Sequence, residues 1–296
     1  MTVISLPASF SSATGSSTAG AFSTAGASAT GVSSAAASST GASGSGKTVL
    51  LRELASESQK YFTNIYHLEK LASQGNKRSC VATLCNLWSP IRELLAKTTE
   101  AKLQGLKASQ FSFNRKGGRC EHCKGLGTIP FFLPPLPPSE IICPDCRGRR
   151  FDSLILGVRF NSYNAHQILE LSIESATKLF EFSPILAPKL KALNMIGLGY
   201  LSLGQGSNSL SGGEHRRIQL AAILEKCLSL DADLPQTVVL LDDPTAALHP
   251  QDAVLLQDCF LELRRAQLTM ILSSHNPQMI TLADSLWSIN QKESVE

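Results

Sequence analysis

The sequence predicts an α/β fold: a parallel sheet flanked by helices, broken by a helical insertion and by a four-cysteine zinc module. Three observations predict it. The first is Thr237–Asp242, an unbroken β-branched and leucine run that suits a strand buried on both faces. Beyond it Pro250 opens a helix with an apolar stripe at Leu256, Cys259, Phe260 and Leu263. Thr269–Leu272 then supplies a second apolar strand, completing a βαβ unit. The second is Gly41-Ala42-Ser43-Gly44-Ser45-Gly46-Lys47-Thr48, a full G-x-x-x-x-G-K-[ST] match. The third is a pair of Cys-x-x-Cys steps, Cys120/Cys123 and Cys143/Cys146, set nineteen residues apart.

Taken in order, residues from about 7 to 40 are almost all Ser, Ala, Gly and Thr, a composition too poor in large apolar side chains for a packed element. Residues 1–40 are therefore expected to form a low-complexity, disordered segment. Gly41, Ser43, Gly44 and Gly46 then let the backbone wrap phosphates. Lys47 reaches the β and γ oxygens, and the Thr48 hydroxyl suits Mg²⁺. A helix is expected directly after, from Val49 to Ala55. The Ala35–Thr40 stretch ahead of the loop is a poor strand by propensity, which leaves a chance match as the alternative.

Residues 41–110 are assigned to the phosphate-loop part of the core, mainly helical, with Pro90 inside a helix start. Residues 111–160 form the metal module. Phe111-Ser112-Phe113-Asn114 alternates like a short strand. Four thiols paired in this way turn onto one point and leave no open coordination position, which predicts a structural Zn²⁺ staple at Cys120, Cys123, Cys143 and Cys146. A redox pair or an iron–sulfur site is the alternative. His122, inside the first step, reads as surface. Gly125 and Gly148 follow each pair where a tight turn is needed. Arg115, Lys116, Arg119, Arg147, Arg149 and Arg150 surround this small knob and suit contact with a phosphate backbone; plain solubility is the bland alternative.

Residues 161–204 are expected as a helical region, with helices around 172–180 and around Leu190, Leu193 and Ile196. Residues 205–296 return to the core. Here Leu210-Ser211-Gly212-Gly213-Glu214 runs straight into a helix with a stripe at Leu220, Ile223, Leu224, Cys227 and Leu228. Ser211 and Glu214 have capping-box spacing. The two glycines leave amides open at a positive helix end, so Ser211, Gly212 and Gly213 suit an anion. Asp242 at the end of its strand is placed to hold Mg²⁺ through water, and Asp243 to polarise an attacking water. His275, one strand over, is placed to bond a γ-phosphate.

Composition bounds the rest. The net charge is +3 over 296 residues, and the hydrophobic content of 43% is ordinary. No apolar run reaches membrane-spanning length and no secretory signal is visible, so a cytoplasmic protein away from membranes is expected. Of the eight cysteines, Cys80, Cys85, Cys227 and Cys259 are scattered and read as small core residues.

LSGGE is the signature pentapeptide of ABC-type ATPases. Together with Gly117-Gly118-Arg119-Cys120-Glu121-x-Cys123, Leu201-x-Leu203-Gly204-Gln205 and Leu241-Asp242-x-Pro244-Thr245 running to Leu248-His249, the chain from about Gly41 onward resembles the carboxy-terminal half of the UvrA family. Transporter relatives usually carry Asp where His249 stands. The resemblance implies an ABC-type phosphate-loop core binding ATP and Mg²⁺, with Zn²⁺ in the inserted module. It also implies damaged double-stranded DNA as ligand, a UvrB-type helicase subunit as partner, and a homodimer or a second UvrA-like half. The Walker A loop of one module then meets the signature of another. Where the resemblance calls for Glu, this chain has Asp243, one methylene shorter, which implies slow or absent hydrolysis. Gln74 is the candidate for the glutamine that the family places after Walker A. The alternative is a divergent or truncated module that binds DNA and zinc without hydrolysing ATP.

Overall fold

The computed structural model describes residues 2–5, 47–68, 76, 78–134, 137, 139–228, 236–245, 250–265, 268–274 and 276–287. In chain order it begins with β1 (Thr2–Ser5), α1 (Lys47–Ser58), β2 (Asn64–Leu68), α2 (Val81–Leu84), α3 (Trp88–Ala96) and α4 (Thr99–Leu103). The middle holds β3 (Thr128–Phe131), β4 (Ser139–Ile142), α5 (Ser153–Gly157), β5 (Arg159–Phe160), β6 (Tyr163–Asn164), α6 (Ala165–Glu170), α7 (Ile173–Leu179) and α8 (Leu186–Met195). Then come α9 (Gly212–Leu228), β7 (Thr237–Asp242), α10 (Pro250–Arg265), β8 (Thr269–Ser273), α11 (Pro277–Ile280) and β9 (Ser285–Trp287). These elements fall into two compact units, Met1–Ala72 with Ile223–Glu296, and Ser73–Ala222.

The first unit is built on a five-stranded sheet of order β2-β7-β8-β1-β9. β7 runs parallel to β2 and to β8, with α10 as the crossover, as the βαβ pattern requires. Every residue of β7 is buried, which explains why its sequence shows no polar alternation. Val238 and Leu240 share one face and pack with Ile271 and with Leu51 of α1. Leu54 and Ala55 continue that helix stripe at i+3 and i+4. On α10 the expected stripe of Leu256, Cys259, Phe260 and Leu263 is buried.

β1 corrects the reading of residues 1–40 at its very start. Thr2–Ser5 lies antiparallel between β8 and β9, in register Thr2 with Ser273 and Thr2 with Trp287. Four residues are too few to carry a periodic signal, and their pairing partners lie near the other end of the chain. Residues 6–40 lie outside the described residues.

The second unit corrects the boundary at 110. Residues 78–110 fold with the four-cysteine module and the helical region, not with the sheet. The reason is aromatic packing: Trp88 of α3 meets Phe113 and Phe151 at centroid distances of 5.9 and 6.1 Å, and its Nε1 donates to Phe111 O at 3.1 Å. Phe111–Asn114 is not a strand. Phe111 closes a 3₁₀ turn over Ala108–Phe111, and Phe111, Ser112 and Phe113 are all buried, so neither face is left for solvent. α3 begins two residues ahead of Pro90, within the first turn where proline is tolerated. α7 starts on Ser172, whose Oγ accepts from Ser175 N, and α8 ends before Gly197 at φ 74°.

Removing the Trp88 ring empties the centre of this aromatic cluster. Trp88→Ala is expected to cost about 3–5 kcal/mol of stability, read as a lowered urea midpoint.

Candidate functional site

Helix and strand periodicity together bring the phosphate-loop threonine to the strand-end carboxylate. Asp242 lies two residues beyond Leu240, on the same face of β7 as Val238 and Leu240, the face that α1 covers. Thr48 lies three residues before Leu51 on that helix, and so on the same stripe. Thr48 Oγ1 donates to Asp242 Oδ2 at 2.8 Å, across 194 residues of chain. The other carboxylate oxygen, Oδ1, accepts from Ser273 Oγ at 2.7 Å. Asp242 is only 4% exposed. Lys47 and Thr48 form the first turn of α1, both half-buried.

Asp243 follows at φ 48°, and its N–H donates to both Ser273 O and Ser273 Oγ at 2.9 Å. Its side chain is half-buried. Gly41, Ser43, Gly44, Gly46, Gln74, Leu248, His249 and His275 lie outside the described residues. Sequence reasoning missed Ser273, because a serine closing a strand carries no motif.

In the second unit the reciprocal capping box is present. Ser211 N donates to Glu214 Oε2 at 2.7 Å and Glu214 N donates to Ser211 Oγ at 3.2 Å. Tyr200 OH donates to Glu214 Oε1 at 2.6 Å. Arg217, only 5% exposed, donates through Nη1 to the Ile196 and Gly197 carbonyls and through Nη2 to the Tyr200 hydroxyl. A guanidinium on those carbonyls complements the negative end of α8. Gly212 is exposed, and a Cβ there would meet nothing within 4 Å. Gly213 is buried, so the open surface at this helix start is narrower than two glycines suggest. Burial opposes ionisation of Glu214, but the bonds from Tyr200 and Ser211 outweigh it and hold the carboxyl below the usual range.

In the four-cysteine module, Cys120, Cys123, Cys143 and Cys146 are all buried, with their sulfurs within 4.8 Å of one another. A four-thiolate tetrahedron with metal–sulfur bonds of about 2.3 Å has edges of about 3.8 Å. The Cys120–Cys143 and Cys123–Cys146 sulfurs stand 3.9 and 3.6 Å apart, so the cluster can hold zinc. Gly127 N donates to Cys123 Sγ at 3.3 Å. At Cys143 burial is outweighed by the Cys146 and Asp145 amides, which bring the thiol down to about 7, whereas burial pushes Cys146 up to about 12. Gly125 and Gly148 adopt φ 82° and 81°, as tight knuckle turns need. His122 is exposed and pairs with Asp145 at 2.9 Å, joining the two knuckles outside the thiol cluster.

The basic residues divide. Arg119 is held by Glu121 and by Asn114 O, and Arg150 by Gly204 O with its guanidinium over Phe113. Arg115, Lys116, Arg147 and Arg149 are exposed. The β3–β4 hairpin shows Phe131, Phe132, Ile141 and Ile142 to solvent, apolar side chains spread from its base at Ile142 to its turn end at Phe131 and Phe132. Cys80, Cys227 and Cys259 are buried and Cys85 half-buried, as small core residues should be.

No protein-family model matches the chain. Among curated proteins, UvrABC system protein A of Haemophilus ducreyi is 37% identical over 230 residues, which is 78% of this chain. Over most of its length the chain resembles UvrA proteins. UvrABC system protein A of Deinococcus radiodurans is 34% identical over 239 residues, 81% of this chain. These alignments cover 24% and 23% of the two relatives, so the UvrA-like chain spans about a quarter of their length. The crystal structure of UvrA2 from Deinococcus radiodurans superposes with a TM-score of 0.73 at 34% identity, over 85% of this chain and 32% of that one. The fold is thus the expected one, an ABC-type phosphate-loop core of parallel sheet and helices with an inserted helical domain and a four-cysteine module. Among the described residues no helix is long and apolar enough to cross a membrane.

Two outcomes follow from this geometry. Cys143→Ala should take bound zinc from about one ion per chain to none and expose the hairpin to protease, checked by metal analysis and limited digestion. Glu214 ionises more readily folded than unfolded, so its cap stabilises above the ordinary glutamate value of about 4.3 and is lost as pH falls through the lower folded value. Amide protection at Ser211 and Glu214, measured relative to the intrinsic exchange rate at each pH, should therefore fall on acidification, and Glu214→Gln should flatten that dependence.

Proposed function

We propose that this UvrA-like chain is an ATPase module of nucleotide excision repair that binds ATP, Mg²⁺ and damaged double-stranded DNA. The observation that carries it is the meeting of Thr48 with Asp242 beside Lys47, at the carboxyl end of a buried parallel strand. The relatives' name, UvrABC system protein A, supports excision repair as the setting. Gly41, Ser43, Gly44, Gly46 and Lys47 cradle the phosphates, and Thr48 and Asp242 hold Mg²⁺, which when bound neutralises phosphate charge.

Asp243 accepts a proton from water as the water oxygen bonds to the γ-phosphorus. The bond to the β–γ bridging oxygen then breaks, and ADP leaves. His275 bonds the γ-phosphate. The shorter Asp243 sets its carboxylate back by about an ångström, a displacement that can cost on the order of a hundredfold in rate. Ser211, Gly212 and Gly213 complete the site of a second module, in a homodimer or with another UvrA-like half. Zn²⁺ at the four cysteines stiffens the hairpin. Arg115, Lys116, Arg147 and Arg149 meet the DNA backbone, while Arg119 and Arg150 mainly hold the module together. A UvrB-type subunit receives the DNA, in the cytoplasm.

Lys47→Ala should abolish ATP-dependent DNA binding in a fluorescence anisotropy titration, and Asp243→Glu should raise single-turnover hydrolysis. Unchanged, ATP-independent DNA binding in Lys47→Ala would leave a zinc-stapled DNA-binding module instead.

A further inference from the structure

We infer that Ser273 is a positioning residue for the metal-binding carboxylate, fixing one oxygen of Asp242 so that the other is presented to Mg²⁺. The inference rests on the nucleotide-binding reading above. It starts from register: in the parallel pairing of β7 with β8, Asp242 and Ser273 are Cα partners. Side chains in register on adjacent strands share a face. Here that face carries Leu240 on one strand and Ile271 on the other, both in the core under α1. Ser273 is 2% exposed, so its hydroxyl is shielded from water.

The two bonds to Asp242 differ in kind. Thr48 Oγ1, on Oδ2, belongs to the phosphate loop and is the hydroxyl expected to turn to the ion. Ser273 Oγ, on Oδ1, sits on the sheet and has no such second task. It donates to Oδ1 while accepting from Asp243 N, so one hydroxyl fixes both the carboxylate and the backbone of the residue after it. When Thr48 turns to the ion, the Ser273 bond keeps Oδ1 anchored. A carboxylate fixed at one oxygen keeps its plane, and the water through which it would hold an octahedral ion is aimed by that plane.

A full-chain titration with a fluorescent ATP analogue, in Mg²⁺ and in EDTA, tests this. The unmodified chain should bind more tightly in Mg²⁺. Ser273→Ala should lose about tenfold of affinity in Mg²⁺, the size expected for a hydrogen bond to a charged group, and keep its affinity in EDTA. Ser273→Thr, which retains the hydroxyl, should restore the Mg²⁺ enhancement. Should the alanine variant unfold, Ser273→Cys fills the same space with a weak donor and should show the same selective loss. An unaltered Mg²⁺ enhancement in the alanine or cysteine variant, or an equal loss in Mg²⁺ and EDTA, overturns the inference alone. An unmodified chain that binds no analogue in either condition overturns the nucleotide reading and this inference with it.

Discussion

A carboxylate buried at the end of a strand is the constraint on which the sheet unit depends. Asp242 is almost wholly removed from water, and an ionised group so placed is strongly unfavourable unless hydrogen bonds replace its hydration. Thr48 from α1 and Ser273 from β8 supply them, one on each oxygen. The same two bonds therefore tie the phosphate-loop helix and the second parallel strand to the central one. Packing of Leu51 on Val238, Leu240 and Ile271 sets the helix over the sheet. The polar contacts set where along the strand it stops. Apolar burial is indifferent to small shifts of register, and a hydroxyl–carboxylate bond is not.

The other unit solves its stability problem differently. Around the thiols the buried cluster consists of four cysteines with Ile129 packed partly against them, far too little apolar surface to hold a hairpin on its own. Closure at the base helps: Cys120 N donates to Arg150 O and Asp152 N to Gly118 O, pairing the way in with the way out. Gly118 is obligatory there, since a Cβ would fall 1.5 Å from Gln110 O. The result is an excursion held at its root by backbone pairing and at its centre by sulfur. Such a module can expose Phe132 and Ile142 without collapsing onto them.

What could be read from the sequence was what local chemistry specifies. The capping box, the two cysteine steps, the buried strand and the α10 stripe each depend on neighbours within a few residues, and each stands where its pattern puts it. Long-range pairing left no such trace. Thr2–Ser5 finds its place only because β8 and β9 offer unpaired edges. Trp88 belongs with Phe113 and Phe151 through contacts that helical periodicity does not encode. Phe111–Asn114 misled because alternation of polarity is a strand signal only when one face meets water. Ser273 was invisible for the opposite reason: its role lies in register with a residue on another strand.

The backbone also bears on the short carboxylate at position 243. That residue sits at φ 48°, in the left-handed region that most side chains enter only at a cost. Aspartate and asparagine tolerate it better than longer residues, because a short polar side chain can satisfy neighbouring backbone groups. The N–H of Asp243 is meanwhile committed to Ser273, which holds the conformation in place. Strain at a site of this kind persists where surrounding bonds over-determine it. The strand end thus favours aspartate on conformational grounds. Under the hydrolytic role proposed above, reach towards an attacking water would favour glutamate, so the two demands on position 243 oppose each other.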